Sequence, residues 1–232
     1  RELISNITHD LKTPITAIKG YVEGIIDGVA DTPERRDKYL RTIYTKANDM
    51  DRLINELTYY SSIDNNRIPY NFHRINVAEF FADCVEDVGL DLESKNIQLN
   101  YSNLVEPDTR IIADPEQLKK VINNIIGNSI KYMDKEKGVI DIRLLDEVDS
   151  IRVEIEDNGK GIAAKEIGNI FERFYRTDAS RNSMKGGSGI GLSIVKKIIE
   201  DHGGYIWATS KEGEGTCLHF VIRKYREAEA DE

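Results

Sequence analysis

Apolar residues recur along the N-terminal stretch as Ile4, Ile7, Leu11, Ile15, Ile18, Val22, Ile25 and Val29. Most of those steps alternate three and four, the spacing of an amphipathic helix with a coiled-coil-like seam. Two steps of four meet between Ile7 and Ile15, a stutter that unwinds the seam locally. Pro14 removes a backbone donor inside the same stretch and predicts a bend there. The pattern stops at Ala30-Asp31-Thr32-Pro33-Glu34, where Thr32 suits an N-cap and Pro33 the first helical position. A second helix then runs to about Ile63, with Leu40, Ile43, Ala47, Met50, Ile54 and Leu57 as its seam. Two seam-bearing helices joined by a short turn make an antiparallel hairpin. Two helices alone cannot enclose a core. The sequence therefore predicts a homodimer in which two hairpins close a four-helix bundle. The alternative is that the hairpin packs on the C-terminal half of its own chain.

Periodicity breaks at Asp64-Asn65-Asn66-Arg67-Ile68-Pro69, read as a linker. Beyond it the pattern mixes strands and helices. A short strand is expected at Phe72–Val77, then a helix over Ala78–Ser94 with Phe80, Phe81, Cys84, Val85 and Val88 inward. Strands follow at Ile97–Tyr101 and Arg110–Ala113. Asp114-Pro115 opens a helix to about Met133. Gly138–Leu145 and Ser150–Glu156 read as antiparallel strands. Residues 157–188 are rich in glycine and charge. A helix over Ile190–His202 ends at Gly203-Gly204, and two strands, Tyr205–Ser210 and Thr216–Arg223, close the fold. This half is expected to be a largely antiparallel sheet with helices on one face, an α+β sandwich. The division is 1–63 hairpin, 64–69 linker, 70–226 mixed domain and 227–232 acidic tail.

Composition changes this picture little. The chain has 232 residues, net charge −9 and a 40% apolar content, which fits a globular protein and argues against nucleic acid as the main partner. No apolar run reaches the roughly 20 residues of a membrane span, and no signal peptide is visible. Arg1 begins inside a helical pattern without a cap, as in a piece whose first helix continued upstream. Cys84 and Cys217 fit no metal spacing from sequence, suit a reducing compartment, and read as small apolar fillers.

The candidate chemistry begins with His9. At about 100° per residue it points away from the stripe of Ile7 and Leu11, and Thr13, one turn on, shares its face. A solvated surface histidine is the plain reading. The functional reading is a nucleophilic imidazole, one nitrogen attacking while Asp10 holds the other N–H and takes up the developing positive charge. Four further clusters carry possible chemistry. Asn124 and Asn128 share a helix face, with Lys131 and Tyr132 a turn later: exposed amides, or an oxygen ligand for Mg²⁺ beside a phosphate-binding lysine. Asp157-Asn158-Gly159-Lys160-Gly161 follows a strand directly: a simple turn, or a carboxylate for an exocyclic amine with glycines that admit a flat ring. Phe171-Glu172-Arg173-Phe174-Tyr175-Arg176 joins apolar docking residues to two guanidinium forks. Gly186-Gly187-Ser188-Gly189-Ile190-Gly191-Leu192 leads into a helix and can offer backbone N–H groups to an anion. It has neither the Rossmann spacing nor the Gly-Lys-Ser/Thr of a Walker A loop.

Taken together, these clusters resemble the motifs of bacterial sensor histidine kinases of two-component systems, in the family's order and over nearly the whole chain. Thr8–Pro14 resembles the H box, Asn124–Tyr132 the N box, and Asp157–Gly161 the first glycine box. Phe171–Arg176 resembles the F box, Gly187–Leu192 the second glycine box, and Gly213–Thr216 the trailing one. Asp10-Leu-Lys stands where Glu-Leu-Arg is frequent, and Thr8 where serine is frequent; both keep the chemical character. The resemblance implies a dimerisation and histidine-phosphotransfer bundle followed by an ATP-binding domain of the Bergerat type, shared with gyrase, Hsp90 and MutL. It implies His9 as phosphoacceptor, Asp10 as its acid/base partner, and Thr13 as the water-orienting position of the reverse, phosphatase reaction. Asn128 would bind Mg²⁺ with Asn124 close by, and Lys131 and Tyr132 would contact phosphates or ribose. Asp157 would hold the adenine amine, with Gly159 and Gly161 lining the pocket and Thr216 beside it. Gly187, Gly189, Gly191 and Leu192 would cradle phosphates, under a lid of about 160–188, and Arg176 would reach the γ-phosphate. The implied activity is ATP-dependent autophosphorylation of His9 and transfer to an aspartate of a cognate response regulator. The implied context is the cytoplasmic portion of a membrane-anchored sensor whose upstream region is absent from this chain. The competing classes are a Bergerat-type ATPase or anti-sigma-like serine kinase with a helical dimer handle, and a non-catalytic scaffold.

Overall fold

A computed structural model describes residues 2–64, 69–172 and 191–227. Helices α1 (Glu2–Ile26) and α2 (Pro33–Asp64) form the expected hairpin. The turn between them is built as the residue types dictate: the Arg35 N–H donates to Thr32 Oγ1 at 3.2 Å, and Pro33 opens the helix. α1 continues through Pro14. Tyr21 and Tyr39 meet edge to face across the hairpin at 5.1 Å.

The seam divides into two sets seven residues apart. Leu11, Ile18 and Ile25 on α1, with Ile43 and Met50 on α2, are half-buried. Ile15 and Val22 on α1 and Val29 in the turn after it, with Leu40 and Ile54 on α2, stay exposed at 37–61%. One set of each heptad closes the hairpin and the other lies open along its side.

Among the described residues, the second half is a five-stranded sheet with three helices against one face. Its strands are β2 (Ile97–Asn103), β4 (Gly138–Glu147), β5 (Ser150–Asp157), β6 (Tyr205–Lys211) and β7 (Gly215–Arg223), in the order β2-β4-β5-β7-β6. β2 and β4 run parallel and the remaining neighbours antiparallel. β1 (His73–Asn76) and β3 (Arg110–Ala113) pair separately as a two-stranded ribbon, joined to the end of β7 by a bridge from Ile111 to Lys224. α3 (Val77–Ser94), α4 (Pro115–Lys131) and a helix labelled α5 (Gly191–Asp201) cover the inner face. Phe81, Leu118, Ile125, Ile140, Leu144, Ile151, Ile155, Ile194 and Phe220 meet there with essentially no exposure. Alternation along the strands produces this: inner positions are isoleucine, leucine, valine and phenylalanine, outer ones mostly charged or polar.

Helix caps set the entry of two helices. Asp114 Oδ1 accepts from the N–H groups of Glu116 and Gln117 at 3.0 and 3.2 Å, and Asn76 Oδ1 from Glu79 at 3.0 Å. The Phe80 and Val85 side chains, expected inward, are half-buried and pack against the core, and Leu92 is fully buried as well. The expected linker begins one residue late, since Asp64 is still helical; 65–68 lie outside the described residues.

The segment after those residues is anchored. Tyr70 donates to Asp201 Oδ2 at 2.6 Å, and the Asn71 N–H donates to Asp114 Oδ2 at 2.9 Å. His202 lies against the rings of Tyr70 and Phe72. Its Nδ1 donates to the Ile198 carbonyl at 2.7 Å, and its Nε2 accepts from the Asp114 N–H at 3.0 Å, so one ring nitrogen carries the proton and the other must not. Leu57 of α2 also packs on the second-half core, so the two halves touch there.

Candidate functional site

His9 lies on α1 with its side chain 80% exposed, while that of Asp10 is only 15% exposed. Nδ1 of the ring stands 3.7 Å from Asp10 Oδ1, which leaves Nε2 on the open side. The Thr13 hydroxyl donates back to the His9 carbonyl at 3.3 Å, which places it on the same helix face one turn on. The geometry is that of an accessible imidazole with a carboxylate close to its Nδ1.

A second constellation forms where β5, the C-terminal half of α4, the β6–β7 turn and the start of α5 converge. Asp157 ends β5. Its Oδ1 accepts from the Gly159 N–H at 2.9 Å. Burial raises its carboxyl pKa above the ordinary value, and hydrogen bonds from the Gly159 N–H, the Ser129 hydroxyl and the Thr216 N–H pull in the other direction. Gly159 is buried against α4: a Cβ there would stand 2.6 Å from the Tyr132 carbonyl oxygen. Gly161 has φ +71°, and a Cβ on it would overlap the Lys211 carbonyl oxygen. Asn158 is structural; its side chain bonds the Val139 N–H and the Lys137 carbonyl at the start of β4. The Asp-Asn-Gly-Lys-Gly run is therefore more than a turn. It presses the chain against α4 on one side and the β6–β7 hairpin on the other.

Asn124 and Asn128 are half-buried on α4. Gly191, the first residue of α5, comes close enough that a Cβ on it would lie 4.0 Å from Asn124 Oδ1. The helix start thus lies next to the Asn124 amide, one turn before Asn128 on the same face of α4. Lys131 and Lys160 place their ammonium groups 5.3 and 5.1 Å from the centroid of the Tyr132 ring. Thr216 is buried next to Asp157 in the β5–β7 register.

The structure brings Asn124, Asn128, Lys131, Tyr132, Asp157, Gly159, Gly161, Gly191, Leu192 and Thr216 to this junction. His9, Asp10 and Thr13 lie on α1, a separate element. Arg176, Gly187 and Gly189 fall outside the described residues, as do the greater part of the Phe171–Arg176 cluster and of the 160–188 lid. Two positions passed over in the sequence, Ser129 and Ser210, also contribute, as does Gly215 of the trailing glycine cluster. Ser129 hydrogen-bonds Asp157. Gly215, at φ +135°, is the one residue type that clears the Asp157 carbonyl. The Ser210 hydroxyl accepts from the Ile162 N–H at 2.8 Å and donates to the Gly215 carbonyl. Ser129 directly after Asn128 was the available signal, since a polar residue on the apolar face of α4 needs a buried partner.

Comparison with known proteins places these features. The family described as "Histidine kinase-, DNA gyrase B-, and HSP90-like ATPase" matches residues 113–226, and the "His Kinase A (phospho-acceptor) domain" matches residues 1–66. The catalytic domain of histidine kinase ThkA is 30% identical, covering 66% of this chain and 97% of that one, with a TM-score of 0.56. The chain belongs to the histidine kinases. The sensor histidine kinase WalK of Bacillus subtilis (strain 168) is 30% identical over 100% of this chain, which spans 38% of that protein's length. Histidine kinase ThkA in complex with response regulator protein TrrA superposes with a TM-score of 0.76 at 27% identity, over 97% of this chain and 61% of that one. Among the described residues no helix is long and apolar enough to cross a membrane.

The junction around Asp157 fits the nucleotide of this kinase family. It offers a half-buried carboxylate for an amine, glycines where a side chain would collide, and half-buried amides beside a helix start. Amide oxygens are hard donors of the kind Mg²⁺ accepts alongside phosphate.

Proposed function

We propose that this chain moves the γ-phosphoryl group of ATP onto His9, and from there to an aspartate of a response regulator. The observation that carries the reading is the pairing of His9 with Asp10 on the exposed face of α1, in a chain whose other half builds the Asp157 junction. Asp10 fixes the tautomer with the proton on Nδ1, so the Nε2 lone pair attacks phosphorus. The new P–N bond forms as the bond from phosphorus to the β,γ-bridging oxygen breaks, and ADP leaves with that electron pair. Asp10 offsets the imidazolium charge until the Nδ1 proton is lost. Asp157 holds the adenine amine; Gly159 and Gly161 admit the ring and Thr216 borders it. Lys131, Tyr132 and the α5 start at Gly191 and Leu192 meet the phosphates or ribose, together with Gly187, Gly189 and Arg176. Asn128, with Asn124 nearby, supplies the oxygen that would hold Mg²⁺, whose chemistry is to neutralise phosphate charge. Thr13 orients water in the reverse reaction on the regulator.

The open heptad set supports a homodimer, with the hairpin of residues 1–63 pairing with that of a second copy and residues 70–226 forming the ATP-binding unit. The regulator complex of ThkA supports a response regulator as partner. The sensor kinases among the relatives, all longer than this chain, support a place downstream of a sensing region in a membrane-anchored protein. The test is incubation with γ-labelled ATP. Label that is acid-labile and alkali-stable, and is lost in His9→Gln, is expected. Acid-stable label, or label that survives His9→Gln, would overturn the reading in favour of a serine kinase.

A further inference from the structure

The outer face of the sheet, turned away from α3, α4 and α5, carries a cluster that the phosphotransfer reading does not use. Glu154 on β5 is the register partner of His219 on β7, and Cys217 precedes His219 by two residues, so all three project from that face. One carboxylate oxygen, one ring nitrogen and the thiol sulfur lie within 4.8 Å of one another. His219 Nδ1 is 2.5 Å from Glu154 Oε2 and 3.9 Å from Cys217 Sγ. Tetrahedral zinc, with bonds of about 2.0 Å to nitrogen or oxygen and about 2.3 Å to sulfur, needs ligand separations of about 3.3–3.6 Å. Side-chain adjustments of about an ångström reach that geometry.

The surroundings already hold these side chains in place. Thr209 Oγ1 lies 2.8 Å from His219 Nε2, so the remote nitrogen has a partner and Nδ1 faces the cluster. Trp207 stacks on the imidazole at 4.9 Å with planes 4° apart, which fixes the ring. Arg143 Nε donates to Glu154 Oε1 at 3.2 Å, leaving Oε2 to the cluster. Two cations stand close, and each has a second carboxylate. Arg143 pairs with Glu156 at 3.6 Å, and Arg152, whose Nε is 3.8 Å from Glu154 Oε2, pairs with Glu147 at 3.0 Å. Cys217 is 4% exposed, and the side chains of Glu154 and His219 are 12% exposed, so the cluster is recessed yet open to the solvent side.

We propose that Glu154, Cys217 and His219 form a divalent-metal site of the zinc class, with three protein ligands and water in the fourth position. Thiolate and imidazole select a borderline-soft ion over Mg²⁺, so this site is chemically separate from the oxygen donors on α4. Loading releases the thiol proton, and the neutral ring's one proton sits on Nε2, donating to Thr209, so that the Nδ1 lone pair faces the ion. The ion would join β5 to β7 directly behind the nucleotide junction, because Glu156 pairs with Cys217 and Asp157 with Thr216 in consecutive register. The proposal stands independently of His9 phosphorylation.

The experiment uses tag-free, metal-stripped, nucleotide-free protein titrated with Co²⁺. A thiolate-to-cobalt charge-transfer band in the near ultraviolet, saturating at one equivalent and bleached by Zn²⁺, is expected. Trp207 is the single tryptophan of the chain, so its fluorescence should fall in step with the band. Cys217→Ser should abolish the band, and His219→Gln should weaken binding at least tenfold. Absence of the band in the parent protein overturns the site without reference to any variant. So does a band or quenching curve unchanged in both substitutions.

Discussion

Leu40 tests the open heptad set directly. It lies on α2 at 57% exposure, two heptads from Ile54 on the same helix, and belongs to the same open set as Ile15, Val22 and Val29. Burying a leucine fully is worth roughly 1.5–3 kcal/mol, and somewhat over half of that is still available to Leu40, so about 1–1.5 kcal/mol per subunit. A twofold interface counts it twice, giving about 2–3 kcal/mol for the dimer. Leu40→Ala removes most of this and should weaken dimerisation by about 30- to 100-fold, at roughly 1.4 kcal/mol per tenfold. Sedimentation equilibrium over a wide concentration range measures the constant. Thr45→Ala, on an exposed polar position of α2, should leave it within a factor of two or three. An unchanged constant in Leu40→Ala, or a parent chain monomeric at high concentration, would refute the assignment of this face to a second copy.

Three other outcomes follow from the geometry. Gly215→Ala places a methyl group on the Asp157 carbonyl and should reduce nucleotide affinity at least tenfold, measured with a fluorescent ATP analogue; equal affinity would detach Gly215 from the site. Phe220, fully buried on β7, should cost about 3–5 kcal/mol of stability when cut to alanine, read from urea unfolding. Burial lowers the pKa of His202 below its ordinary value, with the Asp114 and Asp201 carboxylates and the Ile198 carbonyl opposing. The unfolded chain then binds the proton more readily than the folded one, so stability is complete above the ordinary histidine pKa and declines as pH falls through about 6.5. His202→Gln should flatten that decline relative to the parent between about pH 7 and 5. Parallel curves would show that burial does not hold the His202 ring neutral in the folded chain.

Much of this molecule is written in local order. The three-four spacing of apolar residues marks α1 and α2, Thr32-Pro33 and Asp114-Pro115 mark helix starts, and two-residue alternation marks β4, β5 and β7, because each depends on neighbours within a turn or a strand. The order of the histidine, asparagine and glycine clusters is equally one-dimensional, and it pointed to the family before any contact was known. Some positions depend on partners far along the chain. Periodicity gave Leu11 and Ile15 the same seam, yet one closes the hairpin and the other faces outward, since the angle between two helices decides which half of a heptad is covered. Gly215 stood in the trailing glycine cluster, but only the β5–β7 register shows that it must clear the Asp157 carbonyl. Cys217 and His219 had no metal spacing in the sequence, because their third companion, Glu154, comes from a different strand and reaches them only through the β5–β7 register. Composition and period determined which elements form and which chemistry the chain carries. The tertiary structure alone decided which of those groups meet, because contacts across a sheet or between helices join residues whose separation in sequence carries no period to read.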